Sequence, residues 1–243
     1  MAAGAFARDG RLLGFVFGLT GVERGRVVHW SDMLAVRPEW RDHGLGRRLK
    51  RWQRDAAAAA GAEVMYWTYD PLVARNAHVN FNVLGARAHE YVRDMYGESD
   101  STLHRGLGTD RLVVAWPLRG APAASACPTG QAAELATALR DAPQADDVMS
   151  GTSGDAPPVA VRIAIPLDIH AVLAANPRAA AAWRASTRAA FGWALERGYV
   201  VAGVCRDAGA ERAHYVLRRD GARPCEPAGP AAGASSDPPD APQ

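Results

Sequence analysis

Lysine is almost missing from this chain of 243 residues: Lys50 is the single lysine among 28 lysines and arginines. A protein that holds nucleic acid or coats an anionic membrane through its field carries a large excess of positive charge. Here 26 aspartates and glutamates leave a formal net charge of +2, which argues against either partner. The abundance of arginine and alanine reads as the coding bias of a GC-rich genome. Cysteine is scarce as well. Cys127, Cys205 and Cys225 are odd in number and far apart, without metal or redox spacing, so no metal is expected and a reduced, cytoplasmic setting is. No run of about 18 apolar residues is present to cross a membrane. The opening segment, Met1 to Asp9, lacks the basic start and apolar stretch of a signal peptide.

What is present divides by composition. Residues 1–118 carry periodic structure. Residues 119–158, rich in Ala, Pro, Gly, Ser and Asp, read as a flexible linker with at most one short helix. Pattern resumes over 159–219, and residues 220–243, with six prolines and few large apolar side chains, read as a disordered tail. In the first stretch, strands are expected at Leu12–Leu19, Arg26–Val36, Glu63–Tyr69, Ala86–Tyr91 and Arg111–Trp116. Helices are expected at Gly44–Ala60 and Leu72–Leu84. The third stretch reads as a strand (Val159–Ile165), a helix or helix pair (Asp168–Arg197) and two strands (Tyr199–Cys205, Ala213–Leu217). The whole is α/β, or α+β: helices cover a sheet that is parallel in part, and a small C-terminal αβ unit follows. About 60 residues make a marginal unit alone, so it should dock on the first sheet or on a second subunit. Arg178, Arg184 and Arg188 on its long helix accompany Trp183, Phe191 and Trp193, and read as a packing face with a solvated back.

The most informative segment is Val36-Arg37-Pro38-Glu39-Trp40-Arg41-Asp42-His43-Gly44-Leu45-Gly46-Arg47-Arg48-Leu49. An apolar strand runs into a loop with two glycines, and a helix opens from it. The first amides of a helix lack partners and carry the positive end of its dipole, which suits an anion. Gly44 and Gly46 let a diphosphate approach the backbone, and Arg41, Arg47, Arg48 and Lys50 add charge. A Walker A loop is excluded, because G-x-x-x-x-G-K-[ST] is absent. A dinucleotide-binding turn is excluded too, because Arg47-Arg48-Leu49 stands where the third glycine belongs.

Arg41-x-x-Gly44-x-Gly46 after Leu34-Ala35-Val36 resembles the acyl-CoA-binding motif of the GNAT superfamily. Leu12–Leu19 resembles that family's second strand, Arg26–Val36 its fourth and Glu63–Tyr69 its fifth. Leu72 to Ala86 is similar to its "A-x-x-x-Y-x-x-x-G-F" signature, with Ala77 at the alanine. Trp67-Thr68-Tyr69-Asp70-Pro71-Leu72, Arg75-Asn76-Ala77-His78 and Leu103 to Leu112 are similar to a poorly characterised bacterial branch with a C-terminal extension. The resemblance implies a mixed, mostly antiparallel sheet with splayed central strands. Acetyl-CoA or another acyl-CoA would be held by Arg41, His43, Gly44, Leu45, Gly46 and Arg47. The backbone of Leu34 and Val36 would lie along pantetheine, with Asn76 beside it.

The family normally opens with a strand and two helices, which have no counterpart before Leu12. A bare sheet edge is therefore expected, with a homo-oligomer as one way to cover it. The tyrosine that often protonates the departing thiolate corresponds to Phe81, so Tyr91 or Tyr96 would have to substitute. Asp32, four residues before Val36, is the candidate base, ahead of His29 and Glu39. His104, Asp110 and Arg111 are candidate acceptor-binding residues, with a structural ion pair as the other reading of the last two. The implied activity is acyl-CoA-dependent N-acylation of a small amine or amino acid. A non-catalytic acyl-CoA-binding module and a protein N-acetyltransferase are the alternatives.

Overall fold

The computed structural model describes residues 1–97, 107–119, 137–138, 140–151, 157–207 and 209–219. His104 and the expected tail lie outside them. The first sheet has six strands: β1 (Ala2–Phe6), β2 (Leu12–Glu23), β3 (Arg26–Val36), β4 (Val64–Tyr69), β5 (Arg87–Val92) and β6 (Arg111–Pro117), in the order β1-β2-β3-β4-β6-β5. Only β3 and β4 run parallel; every other neighbouring pair is antiparallel. The second sheet holds β7 (Ala160–Pro166), β8 (Tyr199–Arg206) and β9 (Arg212–Arg219), antiparallel in the order β7-β9-β8. The helices are α1 (Leu45–Ala59), α2 (Ala74–His78), α3 (Ala145–Met149), α4 (Ile169–Ala175) and α5 (Pro177–Glu196).

Four local features differ from the sequence reading. Strand β1 precedes Leu12 and pairs with β2, so β1 and not β2 is the outer strand on that side of the sheet. With β1 in place, Leu12–Glu23 is the immediate hairpin partner of β3. The β2–β3 hairpin needs only Arg24 and Gly25 as its turn, both at positive φ (49° and 77°), so β2 runs on to Glu23. Two such residues make a type I′ turn, whose twist matches the flanking strands. The helix expected over Leu72–Leu84 stops as an α-helix at His78 and continues as a π-turn over Val79–Val83. Here Asn80 accepts from Trp67 Nε1 (3.2 Å), and the Asn82 amide pairs with both backbone groups of Val204 on β8 (2.7 and 2.9 Å). Such insertions recur where a helix must aim side chains at a site. Within the stretch read as a linker, α3 packs against α5 and β7, with Ala142 and Ala145 buried.

The two sheets share one core. Met65, Trp67, Leu72, Phe81 and Val114 of the first unit form a single buried cluster with Ile163, Phe191, Tyr215 and Leu217 of the second. Polar ties cross the same boundary. Tyr215 donates its hydroxyl to Pro71 O (2.7 Å), and its oxygen lies 3.0 Å from that of Tyr69. Arg184 on α5 reaches Asp70 (2.6 Å) and Leu107 O (3.0 Å).

Candidate active site

Strands β3 and β4 pair at only three positions: Val28 with Val64, His29 with Met65 and Trp30 with Tyr66. Beyond Trp30 the strands part. A β-bulge sits at the fork: Gly18 opposes Ser31 and Phe17 opposes Met33, which leaves Asp32 as the extra residue. Bulges bend a strand and raise its twist, so this one turns β3 away from β4. The result is a cavity of about 950 Å³. Residues 31–36 form one wall and 67–69 the other; α2 and the π-turn supply Asn76, Asn80 and Val83, and α4 supplies His170. Along this gap β3 keeps its bonds to β2, while its other edge has no strand partner among the described residues.

The mouth of the gap meets the start of α1. Gly44 takes the left-handed conformation (φ 75°) at the N-cap; no side chain caps the helix and its first turn carries no acidic residue. A carbon added at Gly44 would lie 3.3 Å from Arg47 Nη2, so that guanidinium folds back over the helix start. A carbon added at Gly46 would point at Leu34 (3.5 Å), into the floor of the gap. The unpaired amides, the dipole and Arg47 together make a site for a doubly charged anion. Exposed Arg75 and Asp42 form an ion pair between α2 and the loop before α1, at the cavity wall.

At the fork lies a buried polar group that the sequence reading assigned elsewhere. Lys50, expected to face phosphates, turns inward and is 6% exposed. Its Nζ donates to Ser31 Oγ (2.7 Å) and stands 4.0 Å from the centroid of the Trp67 ring. Ser31 in turn donates to Gln53 Oε1 (2.6 Å). Burial lowers the Lys50 pKa to about 7, and no carboxylate offsets that effect. Fully buried His29, its Nδ1 2.9 Å from Thr20 Oγ1, is likewise lowered by burial, then by the Met1 ammonium and Lys50.

The other expected residues divide into two groups. Asp32, Leu34, Val36, Arg41, Gly44, Leu45, Gly46, Arg47 and Asn76 all line the cavity, and Asp32 is exposed there. Arg41 is also bound back to Val36 O (3.3 Å), which closes its loop onto the end of β3. Tyr96 stands near the rim, its hydroxyl 3.2 Å from Thr68 Oγ1. His43 faces away, bonded to Arg41 O (2.7 Å) and lining a separate groove of about 700 Å³ beside β1. Tyr91, Asp110 and Arg111 belong to the boundary between the two units. The Tyr91 hydroxyl donates to Asp110 Oδ2 (2.7 Å) and its ring stacks on Phe191. Asp110, fully buried, takes two bonds from Arg188 (2.5 and 2.8 Å) and one from Asp94 N (3.0 Å). Burial alone would raise its pKa, but Arg188, Tyr91 and the Asp94 amide hold it at about 2. Arg111 lies over the Tyr96 ring and is 7% exposed. The Asp110 carboxylate therefore serves an ion network with Arg188 of α5, while Arg111 Nη1 donates to the Asp110 backbone carbonyl (2.8 Å). Phe81 sits edge-to-face against Tyr69 and Tyr215 in the core.

Residues 3–80 match the family model described as the Acetyltransferase (GNAT) family. This segment belongs to the GNAT superfamily. The GNAT sheet is the mixed, mostly antiparallel one described above. No curated protein matches the chain by sequence. Among solved structures, the chain is similar to a Bacillus subtilis acetyltransferase in complex with CoA, at 16% identity and TM-score 0.42 over 49% of this chain and 76% of that one. A Chaetomium thermophilum Naa20 in complex with a bisubstrate analogue aligns at 21% identity and TM-score 0.40, over 47% of this chain and 64% of that one. The ribosomal-protein-S18-alanine N-acetyltransferase of Escherichia coli aligns at 21% and 0.37, over 47% and 67%. The chain thus spans roughly two thirds to three quarters of the length of these solved proteins.

Proposed function

We propose that the chain transfers an acyl group, acetyl in the simplest case, from acyl-CoA to the nitrogen of a small amine or amino acid. The observation that carries this reading is the gap between β3 and β4, with an uncapped helix start at its mouth. A diphosphate suits the amides of residues 44–47 and the Arg47 guanidinium. An amide-bearing arm suits the unpaired edge of β3 beside Leu34 and Val36, because it can replace the missing strand. When bound, the thioester supplies an activated acyl carbon. The chain's own residues then position and deprotonate the acceptor. Asp32, exposed at the bulge, receives a proton from the incoming ammonium. Tyr96 beside Thr68 replaces Tyr91 as proton donor in this reading, since the Tyr91 hydroxyl is committed to Asp110. His170, exposed on α4, offers a further polar contact at the cavity. An acyl-CoA donor fits a cytoplasmic setting.

A second reading, a binding module without catalysis, is favoured by one observation: Phe81 sits in the core with no proton to give. Acetyl-CoA separates the possibilities. A ligand that binds only the folded state raises its melting temperature. Acetyl-CoA should therefore protect the chain, and Gly44→Val with Gly46→Leu should abolish the protection by straining the helix start and filling the floor of the gap. Thiol release over a panel of amines and amino acids supports the enzyme; protection with no release supports the module. Undiminished protection of the double variant refutes both.

A further inference from the structure

Lys50 is a buried amine in the cavity wall that the mechanism above leaves idle. We propose that Lys50 is itself an acyl acceptor: the chain moves an acyl group from acyl-CoA onto Lys50 Nζ and so modifies itself at the fork of the splayed strands. This rests on acyl-CoA occupying the gap.

Position is the first argument. The anion site at Gly44 to Arg47 opens the mouth, and Lys50 and Ser31 line the same cavity. From Val36 to Ser31 the wall of β3 runs roughly 16 Å inward, at about 3.3 Å per residue. A donor anchored by its diphosphate at the helix start and extended along this wall carries its acyl end toward the fork. Orientation is the second. Ser31 gives its proton to Gln53, so its oxygen receives from Lys50 and holds Nζ in place. The Trp67 face bounds Nζ on another side.

Charge state is the third argument. Lys50 has no carboxylate to balance it and is 6% exposed, so burial favours the neutral amine, whose lone pair is the nucleophile. Arginine could not serve, because its guanidinium stays protonated. In a chain that otherwise uses arginine for every fixed positive charge, the single lysine stands where a removable proton matters. The step balances simply. Nζ attacks the thioester carbonyl carbon, a C–N bond forms and the C–S bond breaks. The thiolate leaves with the electron pair and takes up the proton that Nζ releases. The product amide is neutral and stays at the fork.

The full chain incubated with acetyl-CoA should gain the mass of one acetyl group, and peptide mapping should place it on Lys50. Propionyl-CoA should give the heavier adduct on the same residue. Excess CoA should suppress labelling, and the urea-unfolded chain should label at least tenfold more slowly. Lys50→Arg should lose the adduct while keeping its thermal shift with CoA. Binding without an adduct, an adduct on the Met1 amine, or equal labelling of the unfolded chain overturns the proposal and leaves the acyl-CoA reading standing. Absence of any thermal shift by CoA with the wild-type chain overturns both.

Discussion

Replacing Arg188 by methionine keeps the aliphatic stem of the side chain and removes its guanidinium. Asp110 then loses both of its bonds to α5, at 2.5 and 2.8 Å, while it stays fully buried. Removing one partner of a buried ion pair costs about 3–5 kcal/mol, because the remaining charge is left uncompensated. Asp110 keeps the Tyr91 hydroxyl and the Asp94 amide, so the lower end applies, about 3 kcal/mol. Acid titration reports on the same carboxylate. Its folded pKa of about 2 lies below the ordinary aspartate value. Its contribution is therefore fully present above about pH 4 and is lost as the pH falls toward 2, a loss of about 2 kcal/mol at 1.36 kcal/mol per unit. In Arg188→Met the burial effect is no longer opposed by the guanidinium, so the acid-sensitive window should move up. Urea unfolding followed by circular dichroism between pH 2 and 7 reads both quantities. A loss under about 1 kcal/mol at pH 7, with an unmoved acid limb, would refute the reasoning.

Three further outcomes are expected. Asp32→Asn should lower turnover roughly 100-fold, with the deficit shrinking at high pH where free amine is plentiful; near-normal turnover at neutral pH would move the role elsewhere. The lowered pKa of Lys50 means the folded state sheds its proton first, so stability should rise with pH from about 7 to about 10.5. His29, also lowered, adds a rise in the same direction at lower pH. In Lys50→Met the upper rise should be absent between about pH 7 and 9, below the range where the buried tyrosines contribute. Gly18→Ala should destabilise by about 1–3 kcal/mol in thermal melts, because its methyl would fall within overlap of the backbone and of buried polar atoms. The nearest are Trp30 O and His29 Nε2, both at 2.5 Å.

The order of strands and helices over residues 12–117 was legible because their periods are strong and glycines punctuate them. The uncapped start of α1 was legible because two glycines, Gly44 and Gly46, mark it. Side-chain direction was not legible. Arg47 and Lys50 are three residues apart on one helix, yet one covers the mouth and the other enters the core. Gln53, a polar residue in the Leu49-Gln53-Ala57 stripe, was the available signal that this face buries polar groups. The surroundings of Tyr91 and Asp110 were not legible for a different reason. Tyr91 bonds Asp110, whose partner Arg188 lies 78 residues further on, and no local pattern reports a pairing at that distance. His170 was missed likewise, since only the docking of the two sheets brings α4 to the cavity. The strand Ala2–Phe6 offers only alanine, glycine and one phenylalanine, a poor β signature rescued by pairing with β2.

The common core has a bearing on how the molecule can be divided. The segment that matches the family model ends at Asn80, inside the π-turn and one residue before Phe81, whose ring lies against Tyr215. A cut placed there would pass through the buried cluster that the two sheets share. It would strip the partners from Tyr69 and Asp70 together. The segment that matches the family model and the C-terminal sheet thus share one core, and the smallest portable version of the gap between β3 and β4 includes β9.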